Sequence, residues 1–302
     1  MPNKKKTVVF RTNLVNVGIG QGQMVMPPYL YSTAEFDRQG RTVSQSNYSQ
    51  DGVLQEKLVR EYDQAGQVVK EFYFTEEGAP SEVITFNRDE QGRMLSEIKT
   101  YLDGSQDTTT YHYDQEGRVT EKVTVDDEGD TDQTEKFTWK EKLLIRHEVK
   151  DQEGQVTGLD EFSYNERGLV SEHRRVSEET GEHFKMVTRY DKEGRKSSEA
   201  LYDEDGDLQT MTRFEYNEQG ILISTSLESA SKKNTTTYTY DERGNLLGQE
   251  EVNEEGHQVV WVEHSYDEGG NLTGTVVFIN GRNVSQSQHY ELRYEYEWFN
   301  EA

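Results

Sequence analysis

A short phrase returns along this chain at a near-constant interval: an aromatic residue, then Asp or Asn, then a glycine a few positions on. It reads Tyr111-His112-Tyr113-Asp114-Gln115-Glu116-Gly117-Arg118-Val119 in one copy and Tyr238-Thr239-Tyr240-Asp241-Glu242-Arg243-Gly244-Asn245-Leu246 in another. The aromatic positions are Phe36, Tyr62, Phe86, Tyr113, Tyr164, Tyr190, Tyr216, Tyr240 and Tyr266. Trp139 stands where a further copy is due, followed by Lys140 and no glycine. Spread evenly from Phe36 to Tyr266, these positions set a period of about 26 residues and about ten repeats, and a fixed period of roughly 20–50 residues specifies a repeat architecture.

Each repeat carries a second turn near its middle, as in Phe74-Thr75-Glu76-Glu77-Gly78, Tyr202-Asp203-Glu204-Asp205-Gly206 and Val252-Asn253-Glu254-Glu255-Gly256. One repeat is therefore two strands and two turns. Asp or Asn at a turn start accepts a bond from the backbone two residues on, and glycine supplies the left-handed conformation later in the turn. Turns this short join antiparallel neighbours, because a parallel crossover needs a dozen or more residues. Between turns the apolar residues alternate: Phe72 with Phe74, Phe162 with Tyr164, Phe214 with Tyr216, and Val119 with Val123 and Val125. Alternation puts each set on one face of its strand. The expected fold is all-β, an antiparallel β-meander or β-hairpin repeat array forming a curved or spiral sheet. Stacked repeats bring the tyrosines into register as an aromatic ladder, which reads as core before it reads as a binding platform.

Composition sharpens this picture. Only 31% of residues are hydrophobic while 30% are charged, and the formal net charge is −25. Such numbers alone describe a disordered chain. The regular aromatic and β-branched period argues instead for a thin core, with one face of each strand solvated. Phosphate recognition requires a basic footprint, so direct nucleic-acid binding is disfavoured. Self-repelling acidic turns suppress edge-to-edge association of a long sheet. The chain has no cysteine, which removes disulfides, thiolate catalysis and thiolate metal sites. No apolar run approaches the length of a membrane span. The basic start Met1-Pro2-Asn3-Lys4-Lys5-Lys6 is followed only by Thr7-Val8-Val9-Phe10 before Arg11, too short for a signal-peptide core. The default location is cytoplasmic, with export by a dedicated secretion system as the alternative.

Three segments follow from the pattern. Residues 1–31 lack the repeat and read as a loop-rich entry that caps the first strand, with a Gly-x-Gly-x-Gly run at 18–22 and Pro27-Pro28. That run lacks the lysine and the helical continuation of a phosphate loop. Residues 32–275 form the repeat array. Within it Asn87-Arg88-Asp89-Glu90-Gln91-Gly92 reads as a longer turn, 136–150 is the most degenerate stretch, and 224–233 reads as a looser hairpin. Residues 276–302 form the C-terminal capping strands, with strict alternation through Tyr290, Leu292, Tyr294 and Tyr296.

The Tyr113-Asp114 and Tyr240-Asp241 phrases resemble the YD repeats of bacterial Rhs proteins and of related teneurin and insecticidal-toxin shells, over roughly residues 32–275. The resemblance implies a β-sheet spiral walling a hollow shell, often around a toxin domain. The large shells of that family use many more repeats. The four prolines are Pro2, Pro27, Pro28 and Pro80, and none follows an Asp, so the Asp-Pro self-cleavage motif of the family has no counterpart. The expectation is the repeat module alone.

No catalytic constellation emerges. The seven histidines form no H-x-x-x-H or H-E-x-x-H pair, no G-x-S-x-G elbow occurs, and acidic pairs are too common to single out. The turns Asp126–Asp130 and Asp203–Asp207 concentrate oxygen donors but lack the spacing of a calcium loop. The N-x-S/T triplets at Asn47, Asn234, Asn271 and Asn283 carry no meaning without a secretion signal. The expectation is therefore no catalytic residue, no metal and no cofactor. It is a non-enzymatic scaffold or protein-interaction module of Rhs/YD type in a bacterial toxin, immunity or secretion context, with a carbohydrate- or cell-surface-binding repeat protein as the alternative. Where aromatics carry binding, the candidates are Trp139 in the degenerate repeat and Trp261 and Trp298 near the end.

Overall fold

The computed structural model describes residues 3–16, 23–76, 78–281 and 287–300. The glycine run at 18–22 and the Asn283 triplet lie outside them. The described residues fold into 23 strands. These are β1 (Lys4–Asn16), β2 (Gln23–Val25), β3 (Tyr29–Phe36), β4 (Thr42–Tyr48), β5 (Leu54–Tyr62), β6 (Val68–Phe74), β7 (Glu82–Arg88) and β8 (Met94–Tyr101). Then come β9 (Gln106–Tyr113), β10 (Val119–Val125), β11 (Thr131–Lys140), β12 (Leu143–Lys150), β13 (Val156–Tyr164), β14 (Val170–Ser177), β15 (Glu182–Tyr190) and β16 (Lys196–Tyr202). The series closes with β17 (Leu208–Tyr216), β18 (Leu222–Ser229), β19 (Lys233–Tyr240), β20 (Leu246–Asn253), β21 (Gln258–Tyr266), β22 (Leu272–Ile279) and β23 (Gln288–Trp298). Ten repeats of two strands account for twenty of these, β3 to β22, and β1, β2 and β23 are additional.

The chain divides into two compact units. One holds residues 1–81, 216–225 and 233–302; the other holds 82–215 and 226–232. In the second unit β7 to β17 form an antiparallel meander in which each strand pairs with the next in sequence. In the first unit β3 to β6 form one meander and β19 to β23 another.

Strand β1 corrects the expectation of an open curved or spiral sheet. It pairs antiparallel with β3 through Thr7↔Ala34 and Val9↔Ser32, and with β23 through Thr7↔Tyr296 and Val9↔Tyr294. The first and last strands of the repeat pattern are thus joined through β1 rather than left as two capped edges. An unpaired edge exposes a row of N–H and C=O groups, and this pairing satisfies both rows at once. Strand β2 then folds back on the far end of β1, with Val15 opposite Met24.

The tight turns explain the period. At Asp114 the backbone N–H donates to the Arg118 carbonyl at 3.0 Å, and the Gly117 N–H donates to the Asp114 carbonyl at 3.1 Å. The side chain completes the loop: Oδ1 accepts from the N–H of Glu116 (2.9 Å) and Arg118 (3.0 Å), and Oδ2 accepts from Arg118 Nε at 2.7 Å. Gly117 sits at φ 78°, which a side chain would resist. A three-residue hairpin of this kind carries a bulge, and the register shifts at the tyrosine accordingly, between Val119 and Glu121. Asp37, Asp89 and Asp191 repeat the geometry with Arg41, Arg93 and Arg195.

Two turns depart from the sequence reading. The turn at 87–92 is not longer: β7 runs on through Arg88, and Asp89 opens a turn of the ordinary size, closed by Asp89 N–H to Arg93 O at 2.9 Å. Arg88 takes the place of the tyrosine and lays its guanidinium 5.6 Å from the Phe86 ring centroid. In the degenerate repeat, Glu141 and Lys142 form a two-residue connection between Lys140 and Leu143. Glu141 has φ 55°, the one non-glycine residue with positive φ among the described residues.

The core is as thin as the composition implied. Among the described residues the buried apolar side chains are Val9, Leu54, Ala200 and Val277, and no large side chain is fully buried. With so little apolar area removed from water, ladder hydrogen bonds and half-buried aromatic rows carry a larger share of the stability.

Candidate functional site: the two faces of the repeat

On the less exposed face, tyrosines that open the Tyr-Asp/Asn turns are tethers. Tyr164 donates its hydroxyl to the Leu144 carbonyl at 2.6 Å, twenty residues back and one repeat away. Leu144 is the residue paired with Trp139, and the Trp139 indole N–H donates to the Val119 carbonyl at 2.7 Å. Val119 pairs with Tyr113, whose hydroxyl reaches the Met94 carbonyl at 2.7 Å. In the other direction Tyr190 donates to Val170 O at 2.7 Å, and Val170 pairs with Tyr164. The same relay runs through the first unit, from Tyr296 to Leu272 (2.6 Å), Tyr266 to Leu246 (2.9 Å) and Tyr240 to Leu222 (2.8 Å). Burial pushes the phenols of Tyr113, Tyr164, Tyr240 and Tyr296 above their usual range, so they remain donors.

Between the tethers, the same face of β9 to β15 holds a band of charged and aromatic side chains. His147 stacks on Phe137 with centroids 4.5 Å apart and lies 2.8 Å from Glu135 and 3.5 Å from Asp160. His173 stacks on Phe162 at 4.6 Å and lies 2.7 Å from the same Asp160, which also pairs with Arg175 at 3.3 Å. Glu135 is held below the usual carboxylate range by the hydrogen bond from His147 and by Lys122 at 3.3 Å. Tyr111, 3.3 Å from Glu97, is pushed up to about 12 by burial and by that carboxylate. These groups bond one another in a row rather than converging on a point. Among the described residues no group of three or more His, Asp or Glu is placed to hold a metal ion. The acidic turns behave likewise: Asp126 Oδ1 accepts the N–H of Glu128 (3.0 Å) and Asp130 (2.9 Å), which directs that oxygen at its own loop.

The structure separates the three tryptophans. Trp139 belongs to the tether relay of the less exposed face. Trp298 ends β23, 37% exposed, beside Tyr296 with centroids 6.0 Å apart and Lys4 Nζ 5.8 Å from its ring. Trp261 points to the opposite, more exposed face of β21, directly across from Glu250 and two residues before Glu263. There it lines a cleft with Thr237, Thr239, Gly248, Glu250 and Glu263. Reading residues singly missed the Asp–Arg pair closing the turns, although its signal, Asp and Arg four apart around the glycine, is present in the repeat. The Glu135–His147–Asp160–His173 row carries no sequence signal, because its members are paired only by strand register.

No curated relative matches the chain. Among solved structures, a chain of the crystal structure of TcdB2-TccC3-TEV is similar with a TM-score of 0.38 and 15% identity, over 82% of this chain and 15% of that one. A chain of the TcdB2-TccC3 crystal structure gives a TM-score of 0.38 and 14% identity, over 83% and 16%. This chain thus spans only about a sixth of the length of either. A porin-like protein from Bacteroides uniformis gives a TM-score of 0.31 and 14% identity, over 97% and 98%. The family model described as the teneurin YD-shell matches residues 141–295, just over half of the 302 residues. With its tyrosine–aspartate turns in register across that span, the chain belongs to the teneurin YD-shell family.

Proposed function

We propose that this chain is a non-enzymatic YD-shell scaffold whose more exposed strand face engages a protein partner, in a bacterial toxin, immunity or secretion setting. The observation that carries the reading is the tether relay. The recurrent polar groups of the repeat motif, the tyrosine hydroxyls and turn carboxylates, are spent on neighbouring backbone groups. A motif used in this way specifies a wall, and selection for a wall explains its recurrence without a reaction. The setting rests on the family, whose shells include toxin components.

The test is affinity isolation of the C-terminally tagged chain from its native cells, followed by reconstitution of any recovered protein with the purified chain. A defined stoichiometric complex by light scattering supports the scaffold reading. Recovery of glycans alone, or of no partner, overturns it.

A further inference from the structure

We propose that the cleft beside Trp261 is a docking point for a single cationic side chain, arginine first, on a basic segment of a protein partner. The proposal deepens the scaffold reading by naming the contact chemistry, and it is testable without the native partner.

Strand register builds the cleft. Thr239, Gly248 and Glu263 form one row across β19, β20 and β21, and Thr237, Glu250 and Trp261 form the next row on the same face. Gly248 has no side chain to fill the gap between Thr239 and Glu263. A Cβ there would lie 2.8 Å from the Val262 carbonyl oxygen, so close backbone approach keeps the position glycine and the notch open. The cleft is ≈ 240 Å³. Small-molecule sites are usually some 300–1,000 Å³, so this one suits one inserted side chain better than a whole ligand.

Charge selects the class of that side chain. The lining includes two carboxylates and an indole face, and no Lys, Arg or His. Glu250 accepts a hydrogen bond from Gln258 Nε2 at 2.8 Å, which leaves its charge uncompensated. Neither Glu250 nor Glu263 has a cationic partner among the described residues. Elsewhere on the chain such partners are common, as at Glu71 with Arg60 (2.7 Å) and Glu161 with Arg146 (2.8 Å). A guanidinium lying on the indole between two carboxylates gains cation–π attraction and charge-assisted hydrogen bonds together. The net charge of −25 adds long-range attraction for a basic segment.

The test uses the full chain labelled with 15N and follows the indole N–H resonance of Trp261, assigned by its loss in Trp261→Phe. The probe is a capped Gly-Arg-Gly peptide at low ionic strength, with its norleucine analogue as the neutral control and a neutral oligosaccharide as a second control. The expected result is a saturable shift of the Trp261 resonance with the arginine peptide and none with either control. Glu250→Gln/Glu263→Gln is expected to weaken binding by about tenfold or more, and so is raising salt to about 0.5 M, which shrinks the screening length to a few ångströms. Unmoved Trp139 and Trp298 resonances report that the double variant is folded. An unshifted Trp261 resonance, an equal response to the norleucine peptide or to the oligosaccharide, or undiminished binding in the folded double variant overturns the proposal. Each of these outcomes is separate from the failure of a native partner to appear.

Discussion

Tyr164→Phe is the sharpest test of the tether relay. The substitution removes one oxygen and leaves the ring, so packing is preserved; Phe36 already occupies the same turn position in another repeat. What is lost is a 2.6 Å hydrogen bond from a part-buried hydroxyl to the Leu144 carbonyl. A neutral hydrogen bond contributes about 1 kcal/mol net, and the carbonyl left behind keeps partial access to water, so the cost is expected near that value. About 1 kcal/mol is roughly a fivefold change in a local opening equilibrium. In a repeat protein such a change need not appear in one global transition, because each repeat contacts chiefly its neighbours. The assay is therefore native-state hydrogen exchange, read at amides of β12 and β13 and compared with those of β7 and β8. Exchange near Leu144 and Tyr164 is expected to quicken about fivefold while β7 and β8 stay unchanged. Equal protection in variant and parent would refute the idea that the hydroxyl holds adjacent repeats together. Uniform loss across all strands would refute its locality.

Three further outcomes follow from the geometry. Glu141→Gly relieves a left-handed residue, worth about 1–2 kcal/mol, against the extra entropy of glycine, so the free energy of unfolding measured by urea titration is expected to rise by up to about 1 kcal/mol; a fall contradicts the strain. Asp160→Ala strips His173, Arg175 and His147 of a shared carboxylate that is 13% exposed, and is expected to cost about 1.5–3 kcal/mol in the same assay. A change under about 0.5 kcal/mol would mean the row is ornamental. Asp37, Asp89, Asp114, Asp191, Asp241 and Asp267 all titrate below the usual carboxylate range. At Asp114 the N–H of Arg118 is the foremost cause, ahead of the partial desolvation that opposes it. A carboxylate depressed in the fold stabilises above its unfolded value and loses that contribution as pH falls through its folded value. Stability is therefore expected to decline below about pH 4. Asp114→Asn keeps the amide oxygen that Asn165 already uses toward Arg167 and Leu169, so its midpoint against pH is expected to fall less steeply than that of the parent.

Much of this protein is written in local chemistry. Strand, turn and period follow from Tyr-Asp-x-x-Gly because each turn closes on its own backbone, within four residues of the aspartate. No distant partner is needed, so the all-β antiparallel meander and the thin core were readable from residue types alone. The period-two alternation of apolar and polar residues likewise places a ladder of tyrosines on one face. It did not show where the hydroxyls go, since the acceptor carbonyl lies about twenty residues back and becomes adjacent only when repeats stack. Trp139 looked like a broken motif by composition, yet its indole N–H makes the same bond a tyrosine would. Trp261 looked like a member of the same class, yet strand parity turns it to the opposite face, where Gly248 opens a notch beside it. Arg88 replaces a tyrosine without lengthening the turn, because the strand absorbs the two residues that local reading assigned to the loop. Strand β1 carries no repeat and no turn signal. Only pairing energy between segments nearly three hundred residues apart in sequence decides that it lies between β3 and β23, and an edge row of unmet N–H and C=O groups is the physical reason that it does.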